Sequence, residues 1–124
     1  MAGGTPLPQL SQAFIPNPAT APPATVAGGG NWQSGILNCA GLQALAASCT
    51  LSQAGSIVIQ RYIDPAGTIA IGTAISQVLT ANTAAWVSVN DGLPAASWQV
   101  TISNTSGSTG NLTGVAFLAA FPSG

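Results

Sequence analysis

The segment "SWQVTISN", residues 97–104, alternates strictly. Trp98, Val100 and Ile102 fall on one side, and Ser97, Gln99, Thr101 and Ser103 on the other. Successive side chains of an extended strand point to opposite faces, so this pattern reads as a strand with one face in a core. The same period recurs on both sides of it. "AAWVSVN" (84–90) puts Val87 and Val89 together and Trp86 opposite. "GTIAIGTAI" (67–75) groups Ile69, Ile71 and Ile75. "NLTGVAFLAAF" (111–121) sets Val115, Phe117 and Phe121 against Leu112 and Leu118. Two further runs lie near 33–40 and 42–52. Turn chemistry separates them, in "DPAG" (64–67), "NDGLP" (90–94) and "NTSGSTGN" (104–111). "CAGLQALAAS" (39–48) is rich in helix-favouring Ala and Leu, although its neighbours make a strand equally compatible. Seven or eight short strands predict an all-β domain over 32–124, an antiparallel sandwich or a small barrel.

Residues 1–31 differ. They hold most of the nine prolines and end in Gly28, Gly29 and Gly30. Proline lacks an N–H and fixes φ, so neither a helix nor a central strand is expected there. The segment reads as an extended arm with a glycine hinge. Its apolar residues Leu7, Leu10, Phe14, Ile15 and Val26 suit an arm that lies on a neighbouring subunit better than a solvated linker.

Charge is the oddest property of the chain. Of 124 residues only Arg61, Asp64 and Asp91 carry charged side chains, and histidine is absent. Charged residues are 2% of the chain, against about 25% in soluble domains. General acid–base catalysis needs a group whose pKa can be brought near the working pH, and a serine or cysteine nucleophile needs an adjacent base. Neither is on offer beyond two aspartates, so no enzyme, metal site or cofactor is expected. Binding to a phosphate backbone draws on several Lys or Arg contacts, which a single arginine cannot supply. Apolar runs are interrupted too often for a membrane helix, and the N-terminus lacks the basic and apolar regions of a secretory signal. With so little self-repulsion, the chain suits an assembly better than a freely diffusing monomer.

The individual candidates follow from this. Asp64 and Asp91 each open a turn and read as turn formers. Arg61 occupies a position where the alternation Ile57, Ile59, Ile63 calls for an apolar side chain. It is read either as snorkelling to the rim or as a contact to a neighbouring subunit. Being an odd number of positions from Asp64, it is not expected to pair with it on a regular strand. Cys39 and Cys49 read as small buried hydrophobes, with a cross-hairpin disulfide as the alternative. The glycosylation patterns "NTS" (104–106) and "NLT" (111–113) are expected by chance in a chain so rich in Asn, Ser and Thr. Trp98 is assigned to the core, and Trp86 is either an exposed anchor or covered. The candidate interface set is Leu7, Leu10, Phe14 and Ile15 of the arm with Trp32, Arg61, Tyr62 and Trp86 of the domain.

The Pro-rich apolar arm, "SIVIQRYIDPAGTIAIGTAI" (56–75) and "SWQVTISNTSGSTGNLTGVAFLAAF" (97–121) together resemble the small β-sandwich decoration or cement proteins on the heads of tailed bacteriophages. The resemblance is one of pattern along the whole chain. It implies a jelly-roll or related topology and no catalytic residues. It also implies a place on the capsid surface of a virion, after synthesis in the host cytoplasm. The partners it implies are the major capsid protein and copies of the chain itself, as dimers or trimers. Many such proteins use charge to recognise the shell, and this chain departs from them there. Two alternatives stand beside it. One is a carbohydrate- or receptor-binding module of a phage fibre, using an exposed Trp86 or Tyr62. The other is a self-assembling surface or filament subunit whose arm donates a strand, for which prolines between 5 and 23 are poorly suited.

Overall fold

The computed structural model describes residues 13–14, 20–38 and 44–120. They form ten strands: β1 (Ala13–Phe14), β2 (Thr25–Val26), β3 (Asn31–Gln33), β4 (Leu37–Asn38), β5 (Ala44–Leu51), β6 (Gly55–Tyr62), β7 (Ala70–Leu79), β8 (Ala85–Val89), β9 (Ser97–Asn104) and β10 (Gly110–Ala120). All pairings are antiparallel and make two sheets. Sheet I runs β1-β10-β5-β8 with β2 also on β10, and sheet II runs β3-β9-β6-β7 with β4 also on β9. Since β1 and β2 share one partner and β3 and β4 another, each couple acts as one interrupted strand, and the ten elements reduce to eight. Numbered so, the sheets read 1-8-3-6 and 2-7-4-5, the jelly-roll arrangement. Among the described residues there is no helix, and 44–48 of the Ala-rich stretch are strand.

The two inner faces make the core. β5 buries every second residue from Leu45 to Leu51, β6 buries Ile57 and Ile59, and β9 buries Trp98, Val100 and Ile102 completely. Phe117 of β10 sits between the tryptophans, its ring 6.2 Å from Trp32 in a stacked pair and 6.1 Å from Trp98 edge-on. Such pairs add about 0.5–1.5 kcal/mol beyond the area they bury. The indole Nε1 groups of Trp32 and Trp98 are buried with no protein partner, a cost of about 1–3 kcal/mol each that the ring packing must offset. Cys49 is a free, buried thiol whose pKa burial pushes up to about 11. It therefore behaves as a small hydrophobe; Cys39 lies outside the described residues.

Bulges interrupt two strands, and one of them changes an expected face. On β10 the register slips between Thr113 and Ala116, at Gly114, whose φ is 65°. One extra residue reverses the parity beyond it. Leu112 and Phe117 therefore share the buried face, and Leu118 is left 44% exposed on the other. On β7 the pairing jumps from Ile75 to Ile71 while β6 advances from Ile59 to Arg61. Ile71 and Ile75 pack against the core, but Ile69, expected to join them, is 57% exposed.

The described part of residues 1–31 does not stand off from the domain. Thr25–Val26 pairs with Gly110 and Asn111, and Val26 is a core residue. Strand pairing is tolerated because β2, like β1, lies outside β10 at the sheet edge, where a neighbouring proline's missing N–H does no harm. The expected glycine hinge is a tied turn. Gly30 N–H donates to Ala27 O at 2.9 Å, and Gly29 N–H donates to Asn104 O at 3.0 Å. Asn104, 1% exposed, locks it further: its side-chain amide donates to Val26 O and Ser108 O at 3.0 and 2.8 Å. The amide nitrogen that a glycan would need is thus buried and used, so the Asn104 pattern is no acceptor in the folded chain.

Candidate functional site

Arg61 ends the inward row Ile57–Ile59–Arg61 on β6, and it is buried, 4% exposed. Its guanidinium meets Asp91 with two near-parallel bonds, Nη1 to Oδ1 at 2.7 Å and Nη2 to Oδ2 at 2.9 Å. Asp91 sits in the loop from β8 of sheet I to β9 of sheet II. This is the bidentate geometry for which arginine is suited. The arginine pair, with help from Leu93 N–H, holds the Asp91 carboxyl down to about 2. The reading of Arg61 as an intersubunit contact is therefore corrected: its partner is in its own chain. Asp91 is more than a turn former, since it neutralises the one buried cation.

Asp64 behaves as expected. Its carboxylate accepts from the Thr68 hydroxyl at 2.5 Å and from Thr68 and Ile69 N–H at 2.9 Å each. These bonds, the Thr68 hydroxyl first, lower its pKa. Gly67 closes the turn with φ of 71°, and a Cβ there would sit 2.4 Å from Ile36 Cδ1, so only glycine fits. Both acids are thus consumed by structure, and the exposed surface of the described residues has no side-chain cation.

Of the remaining interface candidates, Trp32 is corrected to a core residue at 6% exposure. Tyr62 is half-buried on the outward side of β6, opposite Ala70 and Ser97. Phe14 lies in β1, opposite Ala119; Leu7, Leu10 and Ile15 lie outside the described residues. Trp86 alone of the domain candidates is open, at 69% exposure on the outer face of sheet I. Tyr62 and Trp86 project from different sheets and so do not form one platform.

The outer face around Trp86 is neutral throughout. Across the sheet Trp86 lies opposite Ser48, and Ser48 opposite Ala116; Ser88 lies opposite Ala46, and Ala46 opposite Leu118. Small side chains thus form the floor between two large apolar ones. Two shallow troughs result, of ≈ 180 Å³ beside Trp86 and Ala116 and ≈ 140 Å³ beside Ser88 and Asn90, with Leu118 common to both. A third, larger hollow of ≈ 310 Å³ opens on the other side of Trp86, toward the loop from β7 of sheet II to β8 of sheet I. Leu118 was missed in the sequence because the Gly114 bulge turns it outward; an isolated glycine inside a strand pattern was the available signal.

Among the described residues no cluster of His, Cys, Asp and Glu of metal-binding size occurs, and no helix is long and apolar enough to cross a membrane. No known protein family matches the chain, and no curated protein is detectably similar to it. Among solved structures, the crystal structure of PirA is similar, with a TM-score of 0.51 and 11% identity over 92% of this chain and 95% of that chain. At that identity the likeness is one of fold, and it extends over nearly all of both chains.

Proposed function

We propose that this chain is a non-catalytic structural subunit, a decoration or cement protein of a tailed-bacteriophage head. In this reading it holds neighbouring coat subunits, and copies of itself, through uncharged sandwich surfaces at the capsid exterior. The observation that carries the reading is the fate of the charges. The single arginine is spent on an internal pair, and one acid on that pair and the other on its own turn. What remains for recognition is shape, apolar contact and neutral hydrogen bonds. The Leu118–Ala46–Ser88 and Ala116–Ser48–Trp86 rows offer that combination. Serine and alanine cost far less to dehydrate than lysine or glutamate. Many copies on a lattice add avidity, so each contact can be modest.

The test is sedimentation of the protein with shells built from the coat protein encoded beside it. Binding should persist from about 0.1 M to about 1 M salt, because few charges are there to screen. Leu118→Lys should reduce it at least tenfold while the circular dichroism stays unchanged. Binding that collapses with salt, or that ignores Leu118→Lys, would overturn the proposal. The docked Val26 also limits any truncation of the arm: a deletion through residue 31 removes part of the core, so the cut belongs before residue 20.

A further inference from the structure

We propose that the hollow between the β7–β8 loop and Trp86 binds a neutral saccharide. It is lined by Gln77 and Val78 of β7, Thr80, Thr83 and Ala84 of the loop after it, and Ala85 and Trp86 of β8. Its volume of ≈ 310 Å³ falls at the small end of ligand sites, which run about 300–1,000 Å³. The composition is that of a sugar site. An indole exposed to 69% offers a flat apolar platform for the C–H face of a pyranose ring. A side-chain amide and two threonine hydroxyls stand beside it to exchange hydrogen bonds with ring hydroxyls. No charged side chain lines the hollow, so nothing in it favours an acidic or basic ligand.

The wall is also held in place before any ligand arrives. This loop, which crosses from sheet II to sheet I, is pinned to the core by Asn82 N–H, which donates to Leu51 O at 2.8 Å, and closed by Thr83 N–H donating to Thr80 O at 3.1 Å. Asn82 takes φ of 61°, a left-handed conformation that asparagine tolerates better than most residues. Leu79, directly before the loop, is 1% exposed and anchors the end of β7. A fixed wall spares the ordering cost that weakens binding to mobile loops. The inference does not depend on the capsid reading, since the hollow lies on the β7–β8 loop side of Trp86 and Leu118 takes no part in it.

The experiment screens the full chain against an array of neutral hexose and N-acetylhexosamine oligosaccharides, with sialylated and sulfated glycans alongside. The best binder is then titrated in solution. Trp32 and Trp98 are buried and Trp86 is open, so a shift in tryptophan emission on titration reports on Trp86. Saturable binding of a neutral glycan is expected, weakened more than tenfold in Trp86→Ala, severalfold in Gln77→Ala, and unchanged in Leu118→Lys. Thermal melts of the variants should match the parent, which separates lost binding from lost folding. The proposal is overturned if no neutral glycan saturates the protein, if charged glycans are preferred, or if Trp86→Ala binds as well as the parent. Failure of shell binding with retained glycan binding would sink the capsid reading alone.

Discussion

Asp64 and Asp91 open two loops of similar composition, "DPAG" and "NDGL", and do very different work. The Asp64 carboxylate bonds only to its own loop, at Thr68 and Ile69, four and five residues on. The Asp91 carboxylate accepts Leu93 N–H in the same local manner, and also reaches an arginine thirty residues earlier in the chain. In the first loop the carboxylate is a local device, its bonds all within five residues. The second joins sheet II to the connection between the sheets, and neutralises a charge that could not otherwise stay buried. Identical turn chemistry thus gains a tertiary role only where the fold brings a partner within reach.

The largest expected effect comes from breaking the long-range partner. Asp91→Ala leaves Arg61 buried without a counter-charge, and should lower Tm by on the order of 10 °C. Arg61→Met added to Asp91→Ala should recover much of that loss, because the buried charge is then gone. Equal Tm values for the single and double variants would show that the pair is not coupled. Thermal melts across a two-by-two set of variants measure this directly.

An acid titration sharpens the comparison next. In the folded chain Asp91 ionises near 2, whereas in the unfolded chain it does so near the ordinary value of about 3.9. As pH falls, the unfolded chain takes up the proton first. The stabilisation is therefore full above about pH 5 and drains away toward pH 2. Asp64, whose pKa is also lowered, contributes in the same direction. Denaturant midpoints measured between pH 6 and pH 2 should fall, and Asp91→Asn should flatten that fall more than Asp64→Asn. An unchanged slope in Asp91→Asn would contradict the assignment.

The smallest effect belongs to Asp64 itself. Its carboxylate serves only its own turn, and removing it leaves the main-chain closure, Gly67 N–H to Asp64 O at 3.2 Å. Asp64→Ala should lower Tm by clearly less than Asp91→Ala, with faster amide exchange confined to Thr68 and Ile69. Exchange that spreads into β9 would instead point to the Ser97 hydroxyl, which donates to Asp64 O at 2.6 Å, as the wider link.

Much of the fold was legible one strand at a time. β9 kept the alternation read from it, and so did the Val87–Val89 face of β8. The legible part of the candidate site was Trp86, out of phase with its buried neighbours. The failures have separate local causes. At Gly114 one extra residue enters the strand and reverses the faces beyond it, so Leu118 surfaced; Ile69 stayed out of the core because it precedes β7, in the turn region after Asp64. Trp32 was misplaced because a short strand of three residues carries too little period to show which side it buries.

The chain's residues by themselves determined that it would be built of strands, would turn at its Gly, Asp and Pro clusters, and would meet other molecules almost without charge. These are properties of single side chains and of neighbours a few positions apart. Which surface is presented, and whom Arg61 pairs with, were decided only when the two sheets closed on each other. Closure sets which strand edges and loops become neighbours, and no local pattern encodes a contact between β6 and a loop thirty residues away.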